Sequence, residues 1–137
     1  YLPVINSLIN KYLKDMEFFV SFELDENFNE TIKSRHRDAF SYMSFSEGEK
    51  MRIDLAILLA WREVSRLKNS ANTNLLILDE VFDASLDALG SDDFLKLLQK
   101  LSEKNHIFVI SHKADQLADK FQNQITFQKH GNFSRLK

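Results

Sequence analysis

Between one helical stretch that ends near Asn69 and another that begins near Ser91, the chain runs Leu75-Leu76-Ile77-Leu78 and then directly Asp79-Glu80. Four consecutive apolar residues, set off by the polar segment Asn69 to Asn74, are too short for a helix. They lack the alternation of a half-exposed strand and suit a strand covered on both faces. Ile107 to Ile110 is a second run of this kind. Ser46, with Glu49 three residues on, makes a capping box that opens a helix with Leu55, Leu58, Leu59, Val64 and Leu67 on one stripe. Ser91 stands where it can cap a third helix holding Phe94, Leu95, Leu97, Leu98 and Leu101. Strand and helix in alternation predict an α/β fold with parallel core strands and flanking helices.

The flanking segments fill in this outline. Pro3 fits a first helical turn, and Ile5, Leu8, Ile9, Tyr12, Leu13 and Met16 recur at helical spacing, which predicts a helix over residues 1–17. Phe18 to Leu24 and Thr31 to Arg35 are predicted strands joined by a turn at Asp25 to Asn29. The basic run Lys33, Arg35, His36 and Arg37 is either a solvated edge or a nucleic-acid contact. Lys113 to Phe121 is a predicted short helix. Ile125 to Phe127 and Phe133 to Leu136 flank His130-Gly131-Asn132 as a terminal β-hairpin. A length of 137 residues with 44% hydrophobic residues is one domain's worth of core. The absence of cysteine excludes disulfides and thiolate metal sites, and the net charge of -2 makes any basic surface local. No apolar run is long enough to span a membrane, so a soluble, cytoplasmic protein is expected, without a membrane partner. The first residue, Tyr1, suggests a fragment or processed chain.

Three features carry chemistry. Asp79 and Glu80 lie at a strand end, where α/β sheets place their sites, and as consecutive residues they point apart. Asp79 can serve as a hard oxygen ligand for Mg²⁺, and Glu80 can orient or deprotonate a water; the plain alternative is an exposed strand end. Around them Asp83, Asp87, Asp92 and Asp93 bring the acids between Leu75 and Leu95 to six with no Lys or Arg, a density that favours a cation among them. Ser46, Glu47, Gly48 and Glu49 form a helix start whose backbone N–H groups and partial positive charge suit an anion; the plain alternative is that Ser46 only caps its own helix. His112, 32 residues after Glu80, ends the second apolar strand and can hold a phosphate or a water, or be structural. A phosphate-binding loop needs two glycines five positions apart followed by Lys and Ser or Thr, and the three glycines here, Gly48, Gly90 and Gly131, do not provide one.

In this order and spacing, over about Phe40 to Lys113, the features resemble the C-terminal lobe of ABC ATPases. Phe45 to Glu49 resembles their signature motif and Leu75 to Glu80 their Walker B strand. Ala84-Ser85-Leu86-Asp87 resembles their D-loop, and His112 their switch histidine. Glu49-Lys50 after the signature glycine, and Glu80-Val81 with no following proline, resemble the SMC-like recombination-nuclease ATPases of the DNA-repair branch. The sequence departs from the family at Glu47, where Gly or Ala is usual, and in one extra residue between Glu80 and Asp87.

The resemblance implies that residues 1–17 are the root of a coiled-coil arm. Residues 18–137 would be the C-terminal ATPase lobe, without the phosphate-binding loop. It implies ATP and Mg²⁺ as cofactors, with Asp79 on the metal and Glu80 and His112 catalytic. Ser46, Glu47, Gly48 and Glu49 would meet nucleotide across a homodimer, and Ser85 and Asp87 would lie in the D-loop. It implies as partners the N-terminal lobe of the same polypeptide, a second head, a nuclease subunit and double-stranded DNA. The isolated chain is expected to be inactive. A transporter nucleotide-binding domain and a non-catalytic interaction module are the alternatives.

Overall fold

A computed structural model describes residues 1–34, 37–68, 73–81, 88–113 and 117–137. The first helix, α1 (Leu2–Asp15), has Pro3 in its opening turn and buries Ile5, Ile9, Tyr12 and Leu13. It ends in a Schellman turn: Phe18 N–H donates to Leu13 O (2.9 Å) and Glu17 N–H to Lys14 O (3.0 Å). Glu17 takes the left-handed position at φ 56° that glycine normally fills.

A three-stranded antiparallel sheet follows, β1 (Val20–Leu24), β2 (Glu30–Ser34) and β3 (Arg37–Phe40), in the order β1-β2-β3. The sequence predicts only the first two strands. The basic run hides the third, whose Arg37 is paired with Ser34 across an irregular register; Arg35 and His36 lie outside the described residues. The outer edge of β1 is closed by α1. Asn10 accepts from Phe22 N–H (2.8 Å) and donates to Phe22 O (2.7 Å), and Asn6 accepts from Leu24 N–H (2.9 Å) and donates to Leu24 O (3.0 Å). Two carboxamides thus stand in for a neighbouring strand.

Helix α2 (Glu47–Lys68) lies against α1 and buries Ile53, Leu55, Ala56, Leu59, Ala60 and Val64. Leu58 and Leu67, predicted on the core stripe, are exposed. Leu58 lies on the face of Trp61, three residues on, whose ring stacks on Phe28 at 6.4 Å. Leu67 falls in the last turn. Arg62 bonds Asn105 Oδ1 at 2.8 Å and ties α2 to the start of the next sheet.

That sheet is the parallel pair β4 (Leu75–Asp79) and β5 (His106–Ile110), in register from Leu75 opposite His106 to Asp79 opposite Ile110. The chain crosses between them through α3 (Ala88–Ser102), which begins before Ser91, so Ser91 is inside the helix and not its cap. Phe94, Leu95, Leu97 and Leu98 of α3 join Leu76 and Leu78 in the core. Burial on both faces of these strands is not observed. Leu75 (43%), Ile77 (56%), Phe108 (52%) and Ile110 (49%) remain exposed on the other face. The two strands are covered on one face only, because the core packs against Leu76 and Leu78.

After β5, where the sequence predicts a helix over Lys113 to Phe121, Leu117 is helical and a 3₁₀ turn follows at Ala118–Lys120; residues 114–116 lie outside the described residues. The hairpin is present as β6 (Phe127–His130) and β7 (Phe133–Leu136), starting two residues later than predicted. Gly131, at φ 61°, opens its two-residue loop, as a hairpin turn with glycine in first place requires. Among the described residues, no helix is long and apolar enough to cross a membrane.

Candidate functional site

The parallel register sets Asp79 beside Ile110, so Glu80 and His112 leave the sheet at neighbouring strand ends. Glu80 N–H donates to Ile110 O at 2.8 Å, which extends the ladder by one bond. Its backbone then turns into the left-handed region, φ 55°. For a non-glycine residue this costs on the order of 1 kcal/mol and is typical of functional positions. The turn brings Glu80 Oε1 to 3.0 Å from His112 Nε2. A carboxylate oxygen only accepts, so the imidazole is the donor in this contact. Both side chains are exposed, which leaves the pair open to a water or a phosphate. Of the predicted site residues, the structure therefore brings Asp79, Glu80 and His112 to one sheet edge. Ser85 and Asp87, like Asp83, lie outside the described residues.

No group of three His, Cys, Asp or Glu among the described residues could by itself hold a metal ion. The donor set fits Mg²⁺ in a different way. Mg²⁺ is commonly held by one or two carboxylates together with substrate phosphates and water, and Asp79 offers one exposed carboxylate at the strand end.

The Ser46 turn is a complete capping box. Glu49 N–H donates to Ser46 Oγ (3.4 Å), while Glu49 Oε2 accepts from Ser46 N–H (2.8 Å) and Ser46 Oγ (2.8 Å). The capping function is thus real. Ser46 is also exposed, and Glu47 is paired with Lys50 Nζ at 2.7 Å. Ahead of the turn, Phe45 packs against Phe18 (6.0 Å, edge-on) and Phe40 (5.5 Å).

Tyr42, four residues before Ser46, donates its hydroxyl to the Asp54 carboxylate at 2.9 Å. Burial, reinforced by that bond and the Asp54 charge, pushes the phenol up to about 12. Sequence reasoning missed this pair, because nothing in the spacing of a Tyr and an Asp twelve apart marks it. The raised value means the pair stabilises the fold fully below about pH 10, the ordinary tyrosine range, and the contribution disappears as pH rises through about 12. Tyr42→Phe should flatten that alkaline loss. Denaturant unfolding at about pH 9 and about pH 11 checks it: wild type should lose more stability than the variant between the two.

No protein-family model matches the chain. It is 46% identical over 134 residues to "Exonuclease subunit 2" of Enterobacteria phage T4 and 42% identical over 134 residues to that of Escherichia phage RB69, in each case 98% of this chain and 24% of the relative. "Probable exonuclease subunit 2" of Escherichia phage T5 is 37% identical over 81% of this chain and 18% of the relative. The chain thus spans about a quarter of the length of the T4 and RB69 relatives it matches. Among solved structures, the SMC head domain of Thermotoga maritima aligns with a TM-score of 0.73 at 22% identity, over 98% of this chain and 46% of that one. A structure from a study of ATP-driven dimerization and DNA-stimulated activation of SMC ATPases aligns with a TM-score of 0.79 at 18% identity, over 99% of this chain and 83% of that one. The likeness to SMC-like recombination-nuclease ATPases agrees with both comparisons: the chain is a homologue of phage exonuclease subunit 2, and its fold is that of an SMC head domain.

Proposed function

We propose that this chain is the C-terminal half of an ATP-hydrolysing head that works with a nuclease on double-stranded DNA in the host cytoplasm. The observation that carries the proposal is the Glu80–His112 pair, two residues 32 apart in sequence held 3.0 Å apart at the end of a parallel strand pair. In this account Asp79 holds Mg²⁺, which supplies charge neutralisation at the phosphates. Glu80 orients a water and takes its proton as it attacks the γ-phosphorus, the bond from that phosphorus to the β,γ-bridging oxygen breaks and ADP leaves, and His112 holds Glu80 and contacts the phosphate oxygens. Ser46 and Gly48 meet the nucleotide of a second head, through a helix N-terminus suited to phosphate. Ser85 and Asp87 belong to the D-loop between the heads. α1 is the root of a coiled-coil arm.

This half cannot cradle the triphosphate alone, since it has no phosphate-binding loop. The exposed face Leu75, Ile77, Phe108 and Ile110 supports the same account, because large apolar side chains grouped on one sheet face mark a contact surface. The N-terminal lobe of the same polypeptide is the proposed cover. Replacing Ile77 by Asp and Phe108, its partner across the strand pair, by Lys should change the stability of the isolated chain by no more than about 1 kcal/mol, since each is an exposed position and the new charges are opposite. It should abolish association with the N-terminal lobe in a pull-down of separately expressed halves. Unaltered association would remove this face from the account.

A further inference from the structure

We propose that Asn6 and Asn10 are positioning residues that lock helix α1 to the sheet in one register and thereby set the position of Ser46. The proposal rests on the account of Ser46 as a nucleotide contact. Asn is a poor residue for a helix interior, so two of them one turn apart in α1 call for a compensating role. The role is visible in the four bonds from their carboxamides to the backbone of Phe22 and Leu24, 2.7–3.0 Å long. The geometry admits one alignment. Residues four apart on a helix rise about 6 Å, and alternate residues of a strand are separated by about 6.8 Å. Each amide therefore meets one outward-facing peptide, and a shift of α1 by one residue breaks all four bonds.

From the clamped helix a short path leads to the signature turn. The Schellman turn ties Phe18 N–H to Leu13 O, so Phe18 moves with α1. Its ring packs edge-on against Phe45, the residue before Ser46, and lies 6.0 Å from the Arg52 guanidinium on α2. Displacement of α1 is thus passed to both sides of the Ser46 turn. A clamp that merely protects the edge of β1 would have no such consequence.

The test uses the full-length polypeptide carrying Asn6→Ala and Asn10→Ala together, with Phe18→Leu as a second variant that keeps the apolar packing and removes the ring contact. Nucleotide binding by the single head should stay within about two-fold of wild type, because those contacts lie in the other lobe and at the ends of β4 and β5, which the Asn6 and Asn10 bonds do not touch. ATP-dependent dimerisation, followed by light scattering, should weaken at least about ten-fold in both variants, the scale of a typical coupling between sites. Normal dimerisation by either folded variant would overturn the proposal. If the double variant does not fold, Phe18→Leu still decides, and so does hydrogen exchange of the wild type. There the Phe22 and Leu24 amides should be protected like those inside the sheet, and rapid exchange at both would contradict the clamp. Ser46→Arg serves as the control: if it dimerises normally, the account of Ser46 has failed, whatever the clamp does.

Discussion

Glu80→Gln in the complete head should lower ATP turnover by at least about 100-fold, the scale of removing a general base, while ATP binding persists and the closed dimer accumulates. Gln keeps the length and an oxygen that can still accept from His112 Nε2, now 3.0 Å from Glu80 Oε1, so the geometry of the strand end is preserved. Only the proton acceptor is lost. The left-handed backbone at Glu80 separates function from stability. Glu80→Gly should be nearly neutral in thermal unfolding, because relief of strain of about 1 kcal/mol offsets the greater entropy of an unfolded glycine. It should nevertheless be as inactive as the Gln variant. Single-turnover kinetics with calorimetric ATP binding decide the matter: turnover by Glu80→Gln at the wild-type rate rules out Glu80 as the base.

The second large effect is expected at Ser46→Arg, which should abolish ATP-driven dimerisation. The side chain that makes the capping box with Glu49 is removed, and loss of such a cap costs about 1 kcal/mol. If capping were the whole role of Ser46, that loss in thermal stability would be the only result. In a nucleotide sandwich, an Arg is too bulky for the gap between a helix N-terminus and a γ-phosphate, and the steric effect outweighs its favourable charge. A modest stability loss with no dimer in light scattering supports the contact across the heads. The same loss with normal dimerisation leaves Ser46 as a cap alone.

The parts of this molecule legible in the sequence are those with local causes. The capping box at Ser46, the helical periodicity of α1 and the glycine-led hairpin each follow from residues a few positions apart. The motif order also put Asp79, Glu80 and His112 on strand ends, and the parallel register of β4 and β5 brings the last two into contact. What escaped depends on long-range packing. The exposed face of Ile77 and Phe108 cannot be told from a buried one, because an apolar run reports only that cover is needed. β3 was masked by its charge. The start of α3 at Ala88 defeats a cap assignment based on Ser91, since the preference of Ser for caps is a local tendency that tertiary context overrides. The clamp between Asn6, Asn10 and β1 had a signal in two amides one turn apart, but their partner strand lies 12–18 residues on.

The central claim, that this chain is half of an ATPase site, is tested most directly by ATP turnover with Mg²⁺ in two samples, the chain alone and the chain joined to the N-terminal lobe of its polypeptide. The account predicts no turnover and no tight ATP binding by the chain alone, and Mg²⁺-dependent turnover on joining. Turnover with micromolar ATP binding by the chain alone, or none by the joined halves, would contradict it.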